Sequence, residues 1–172
     1  MVARIEIALA PQVTFRPIAP DDMDFLLRVY HSTREEELAM VMDWTAEQKD
    51  AFVQQQFQAQ HAWYQDHYQG AQFDVILVDG AAAGRLYVHR RNREIRLVDI
   101  TLLPEFRRTG IGTSLLKELL AEGEAAGKPV TIHVEVFNPA MQLYERLGFS
   151  PIEERGPYRL MEWKSPQLKT AS

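Results

Sequence analysis

The stretch Arg107-Arg108-Thr109-Gly110-Ile111-Gly112-Thr113-Ser114 sets two guanidinium groups and two close glycines where an apolar, strand-like run gives way to a leucine-rich one. The first amides of a helix have no intrahelical acceptor and lie at the positive end of its dipole. Glycines let a bound anion reach that backbone, and arginines add charge, so the turn is suited to phosphate. A P-loop would need Lys-Ser/Thr after its second glycine, but Gly112 is followed by Thr113-Ser114. A dinucleotide fingerprint would need a third glycine where Leu115 stands. For the turn alone, glycines that merely fit a tight strand–helix connection stay open as an alternative.

Composition narrows the remaining chemistry. The 172 residues include no cysteine, which excludes disulfides, thiolate zinc sites and cysteine nucleophiles. His31, His61 and His67 do not have the i, i+4 spacing of a helical zinc site, so no metal is expected. At 46% apolar and 25% charged residues the chain reads as a folded globular protein of one domain, about 1–165, with a loose tail over 166–172. The net charge of −5 comes from residues 1–50, with five Lys/Arg against ten Asp/Glu. That is not the basic footprint of a nucleic-acid binder. An acidic N-terminal region could favour a cationic substrate, or could be a solvated helix face. No apolar run approaches the ~20 residues of a membrane span. The opening MVARIEIALA is interrupted by Glu6 and is rejected as a signal peptide, which leaves the cytoplasm as the default compartment.

Two stretches together carry a family resemblance. Arg107–Gly112 matches Arg/Gln-x-x-Gly-x-Gly/Ala, and VFNPAMQLYERLGF at 136–149 places an Asn at a strand end before a helix with Leu-Tyr and then Gly-Phe. In this the chain resembles the GNAT superfamily of N-acyltransferases over about residues 82–163. The resemblance implies acetyl-CoA as co-substrate, no metal, a primary amine as acceptor, and direct attack of the amine on the thioester. By the same resemblance, the loop Arg107, Arg108, Thr109, Gly110, Ile111, Gly112 and Thr113 would bind the cofactor, the amides of Arg108, Gly110, Gly112 and Thr113 taking the pyrophosphate and the Arg107 and Arg108 side chains neutralising part of it. Leu102 and Leu103 would contact pantetheine through their backbone, with Asn138 and Tyr144 near its end. Asn138 and Tyr144 stand six apart where many members have seven, a shift that must be absorbed before the helix begins. Dimers are common among similar proteins, so a homodimer is one state the resemblance allows. Acetylation of an unidentified amine is the leading reading; the alternative is a catalytically silent acyl-CoA-binding sensor or interaction domain.

The resemblance makes Tyr144 the general acid for the leaving thiolate, a phenol being protonated at neutral pH. A ring packed in the core is the other reading. For a general base the candidates are Asp99 and Glu135, then His133; each also reads as a hydrogen bonder or a solvated face, and water alone could serve. Trp44, Trp63 and Trp163 could line an acceptor pocket, though large aromatics usually pack in the core. Arg34 with Glu35-Glu36-Glu37 could grip an amine or carboxylate at the mouth of the site, but as a helical charge run it reads as surface.

The elements that must position these residues follow from periodicity. QVTFRPI reads as an edge strand, and Pro20-Asp21-Asp22 opens a helix with Met23, Leu26, Leu27 and Tyr30 on one face. A second helix over about 45–67 places Phe52, Ala59 and Trp63 roughly together, with QQQFQAQ as polar surface. Three meandering strands follow, turning at Asp79-Gly80 and Arg91-Asn92-Arg93. In EIRLVDITLL, Ile95 and Leu97 set one alternation and Val98, Ile100 and Leu102 the other, the mark of a β-bulge or of a strand buried on both faces. Beyond the glycines, Ile111, Leu115, Leu116, Leu119 and Leu120 form an amphipathic helix, and Val130, Ile132, Val134 and Val136 one face of a strand. A short helix and two strands finish the chain. The predicted fold is α/β (α+β): a mixed, mostly antiparallel GNAT-like sheet of about six to seven strands, helices on both faces, splayed between the fourth and fifth strands.

Overall fold

The structure is a computed structural model and describes residues 10–170. The rejected signal segment falls largely outside that range. Strand β1 (Val13–Pro17) leads through a short 3-10 turn at Pro20–Asp22 into helices α1 (Met23–Ser32), α2 (Glu35–Ala39) and α3 (Ala46–His67). Strands β2 (Gln72–Val78), β3 (Ala81–Arg90) and β4 (Ile95–Leu102) follow. Helix α4 (Ile111–Ala126), β5 (Val130–Glu135), α5 (Met141–Arg146), β6 (Ser150–Arg155), β7 (Tyr158–Trp163) and α6 (Pro166–Thr170) complete the order. The sheet runs β1-β2-β3-β4-β5-β7-β6. Every neighbouring pair is antiparallel except β4–β5. The tail expected to be loose forms α6, with Ser165 buried and its carbonyl accepting from Leu168 and Lys169.

The predicted stripe of α4 is buried in full, and Leu116, Leu119 and Leu120 pack on Ile95, Leu97, Val130 and Ile132. Helices α1 and α3 cover the opposite face, where Leu26, Tyr30, Val53 and Phe57 make a second core. Here the expected face of α3 is corrected. Phe52, Ala59 and Trp63 are exposed, while Val53 and Phe57 point inward. The glutamine run is not all surface, since Gln56 accepts from the Tyr30 hydroxyl at 3.2 Å and Gln60 accepts from Arg85 at 2.8 Å.

Two irregularities shape the centre of the sheet. Gly84 of β3 lies so close to β4 that a Cβ there would stand 2.1 Å from the Thr101 carbonyl oxygen, which only glycine permits. In β4, Tyr87 pairs with Asp99 but Val88 pairs with Leu97, leaving Val98 as the extra residue of a bulge. The bulge changes which face each later side chain uses. Leu97 sits in the core under α4, and the slip sends Asp99 to the α3 face, where it meets Tyr64. Without Val98 the carboxylate would point into an apolar core.

Candidate active site

Strands β4 and β5 pair only over Ile95–Leu97 and Val130–Ile132. Beyond Leu97 they separate, and the gap between them opens toward the loop before α4. Antiparallel pairing directs alternate backbone groups of β4 toward β3. Leu103 donates its N–H to Ala83 and accepts from Phe106, so both its groups are engaged and its side chain is buried. The alternation leaves Leu102 and Ile100 with backbone facing the gap. The Leu103 backbone, expected beside that of Leu102, is engaged within the fold, whereas Ile100 and Leu102 face the gap.

At the mouth of the gap the chain passes Arg108 (φ 59°) and Gly110 (φ 83°), both in the left-handed region, before entering α4. Two left-handed residues in three turn the backbone so that its amides face outward. None of the amides from Arg108 through Thr113 donates to a protein acceptor among the described residues. The space beside Gly110 is open, since a Cβ there would meet nothing within 4 Å. Among the described residues the Arg108 guanidinium has no hydrogen bond or ion pair, but Arg107 donates to the Leu102 carbonyl at 2.9 Å and to the Ser32 hydroxyl at 3.0 Å. Arg107, expected to face phosphate, ties the loop to α1 instead. Thr109 closes the turn through its hydroxyl on the Phe106 carbonyl, and Ile111 packs in the core.

On the other bank, α5 carries Tyr144, buried, with its ring 5.7 Å from that of Phe149. Its hydroxyl makes no hydrogen bond to protein among the described residues. Burial, with the charge of Asp99 as a smaller cause, pushes the phenol well above its usual pKa and keeps its proton on. Asn138 serves the fold. Its side-chain oxygen accepts from Ala140 N at 2.8 Å and its carbonyl from Met141 N, an Asx turn that starts α5 and absorbs the missing residue of spacing.

The carboxylates are differently placed. Asp99 Oδ2 accepts from Arg85 and from the Tyr64 hydroxyl, each at 2.9 Å, and Oδ1 accepts from Thr101 at 2.7 Å. Glu135 ends β5, 42% exposed in its side chain, with Arg34 Nη2 3.5 Å away. Arg34 also donates to the Tyr30 hydroxyl and Glu37 and lies over the Tyr30 ring, so it belongs to the mouth of the gap and not to a solvated charge run. Ser32 to Arg107 on one bank and Arg34 to Glu135 on the other place the α1–α2 junction across the opening. His133 is exposed. Trp44 and Trp63 are 40% and 48% exposed, so neither is core, whereas Trp163 packs against it.

Sequence reading missed Arg85, Tyr64, Gln60, Ile100 and the Ser32–Arg107 tie. One signal was present: Arg85 stands in the mostly buried strand β3, two residues from Tyr87 on the same face, a position that demands a carboxylate partner. Among the described residues no cluster of His, Asp and Glu could hold a metal ion, and no helix is long and apolar enough to cross a membrane.

The model of the acetyltransferase (GNAT) family matches residues 38–149 of the 172. Among solved structures, similarity extends to the PaiA N-acetyltransferase of Thermoplasma acidophilum in complex with coenzyme A. It is 18% identical with a TM-score of 0.65, covering 90% of this chain and 99% of that one. The ribosomal-protein-S18-alanine N-acetyltransferase of Escherichia coli is 19% identical with a TM-score of 0.56, covering 89% and 94%. A shorter likeness, 46% identity over 50 residues, is to the human cysteine-rich protein 2-binding protein, covering 29% of this chain. The chain spans 6% of that relative's length.

Proposed function

The chain belongs to the GNAT acetyltransferase family, and we propose that it transfers an acetyl group from acetyl-CoA to a primary amine by direct attack. The observation that carries this reading is the run of unbonded amides from Arg108 through Thr113 at the mouth of a gap that the Tyr144 hydroxyl can serve. The amides of Arg108, Gly110, Gly112 and Thr113 take the pyrophosphate, the Arg108 side chain neutralises part of it, and the Ile100 and Leu102 backbone holds the pantetheine arm. Acetyl-CoA supplies the activated thioester.

The amine nitrogen bonds to the thioester carbonyl carbon and the C–S bond breaks. The departing sulfur takes the Tyr144 proton, which burial holds on the phenol until that moment. The nitrogen gives up its proton on the Glu135 side of the gap, which solvent reaches. Asp99 is largely buried on the α3 face, with its oxygens already taken by three donors. The test is calorimetric titration with acetyl-CoA, followed by a screen of amines for release of free coenzyme A. Micromolar binding and amine-dependent release are expected. Binding without release on any amine class would instead favour a silent acyl-CoA-binding domain, and no binding would refute the reading.

A further inference from the structure

Between α3 and the sheet lies a buried polar unit that the steps above do not use. Arg85 is 2% exposed, and its Nη2 donates both to Gln60 Oε1 and to Asp99 Oδ2. Tyr64 and Thr101 donate to the same carboxylate. The other groups facing the unit are Tyr87, whose ring lies 5.2 Å from the Arg85 guanidinium carbon, and His61 on α3. The Tyr87 hydroxyl and Arg85 Nε are buried without a hydrogen-bond partner among the described residues. Asp99 is the only carboxylate paired with Arg85 among the described residues.

We propose that Arg85, with Tyr64 and Gln60, is a positioning residue that clamps Asp99 beside the β4 bulge, so that Asp99 fixes the strand edge presented to the thioester and does not accept the amine proton. The argument is geometric. A carboxylate offers about four lone-pair directions, and three on Asp99 are filled by donors from α3, β3 and β4. Moving the carboxylate to accept a proton would leave a buried guanidinium unpaired. The clamp joins the bulged strand to its neighbour and to the helix above, one residue from Val98, where β4 leaves β5. The Ile100 and Leu102 backbone therefore keeps its direction through side chains on the far face of the sheet.

The inference rests on the coenzyme A reading, and the test separates the two. Acetyl-CoA, which would reach the strand edge, and adenosine 3′,5′-bisphosphate, which lacks the pantetheine arm, are titrated against wild type, Arg85→Met, Asp99→Asn and the double variant. Each single variant is expected to weaken acetyl-CoA about tenfold with bisphosphate binding unchanged. The double variant, which removes both buried charges, returns to within about threefold of wild type, as does its amine-dependent release of coenzyme A. A double variant that binds normally but is as inactive as Asp99→Asn would make Asp99 the proton acceptor and overturn the proposal. Should the single variants not fold, Tyr64→Phe keeps the ion pair and removes one donor. It is expected to weaken acetyl-CoA about threefold and not the bisphosphate, and unchanged acetyl-CoA affinity would overturn the proposal. Indifferent variants of a wild type that binds acetyl-CoA refute this inference alone; a wild type that binds neither ligand refutes both.

Discussion

The two sides of the sheet around the β4–β5 gap are built differently. On the α4 side the unpaired polar groups, among the described residues, are backbone amides, set by φ angles at Arg108 and Gly110 and backed by an all-apolar helix face. On the α3 side the polar groups are side chains: Arg85 with Asp99, Arg34 with Glu135, and Tyr30, Tyr64, Gln56 and Gln60 between them. A backbone site depends on where chain direction changes and tolerates most side chains. A side-chain network depends on every member, because each partner removed leaves another polar group buried.

That contrast is broken most severely at Gly112. Its φ is ordinary, and a Cβ there meets only Leu102 Cδ1 at 3.7 Å, so a side chain fits, unlike at Gly110, where the left-handed backbone would add strain. Gly112→Glu puts a carboxylate beside the pyrophosphate position. At an effective dielectric of 20 two charges about 4 Å apart repel by about 4 kcal/mol, a roughly 10³-fold loss of acetyl-CoA affinity by calorimetry. An acidic residue in the first turn of a helix is favourable, so the melting temperature should not fall. Next is Tyr144→Phe, expected to lower amine-dependent release by about 10²-fold with acetyl-CoA affinity unchanged. Equal turnover would remove Tyr144 as the acid.

Smaller effects belong to the α1–α3 side and should spare coenzyme binding. Asp22 is buried and accepts from Arg16 at 2.7 and 2.8 Å and from Ala19 N at 2.8 Å. The Arg16 hydrogen bonds, partly offset by desolvation, hold its carboxyl below the usual range. Stability from such a group is full above its unfolded pKa and is lost as pH falls through the lower, folded one. Asp22→Asn should cost about 1–2 kcal/mol in urea unfolding at pH 7, with the gap to wild type closing in acid. Trp63→Ala should cost least, about 1 kcal/mol or less, because the ring is half exposed, stacking on His67 and meeting Tyr64 and Tyr68 edge-on.

The same division decides what was legible from the residues. The stripe of α4, the alternation of β5 over Val130, Ile132 and Val134, the turn at Asp79-Gly80 and the phase slip at Val98 all follow from apolar periodicity and turn chemistry and are present, though β5 ends before Val136. The acetyltransferase assignment came from two short motifs that sit in this half. Helix α3 resisted the same method because part of its inward face is polar. Gln56 and Gln60 reach the Tyr30 hydroxyl and the Arg85 guanidinium, and a hydrophobic pattern cannot register glutamines buried with partners. Arg107 and Asn138 had the right residue types in the right motifs, yet one bridges to Ser32 and the other starts α5. Spacing locates such residues but does not say whether a ligand or the fold takes their hydrogen bonds.

The most direct test of the central claim is amide hydrogen exchange with and without acetyl-CoA, read at single-residue resolution over 98–116. Marked slowing is expected at Arg108 through Thr113 and at the Ile100 and Leu102 amides, with the buried turns of α4 unchanged. Unchanged exchange at Arg108–Thr113 in the presence of saturating acetyl-CoA would contradict that claim.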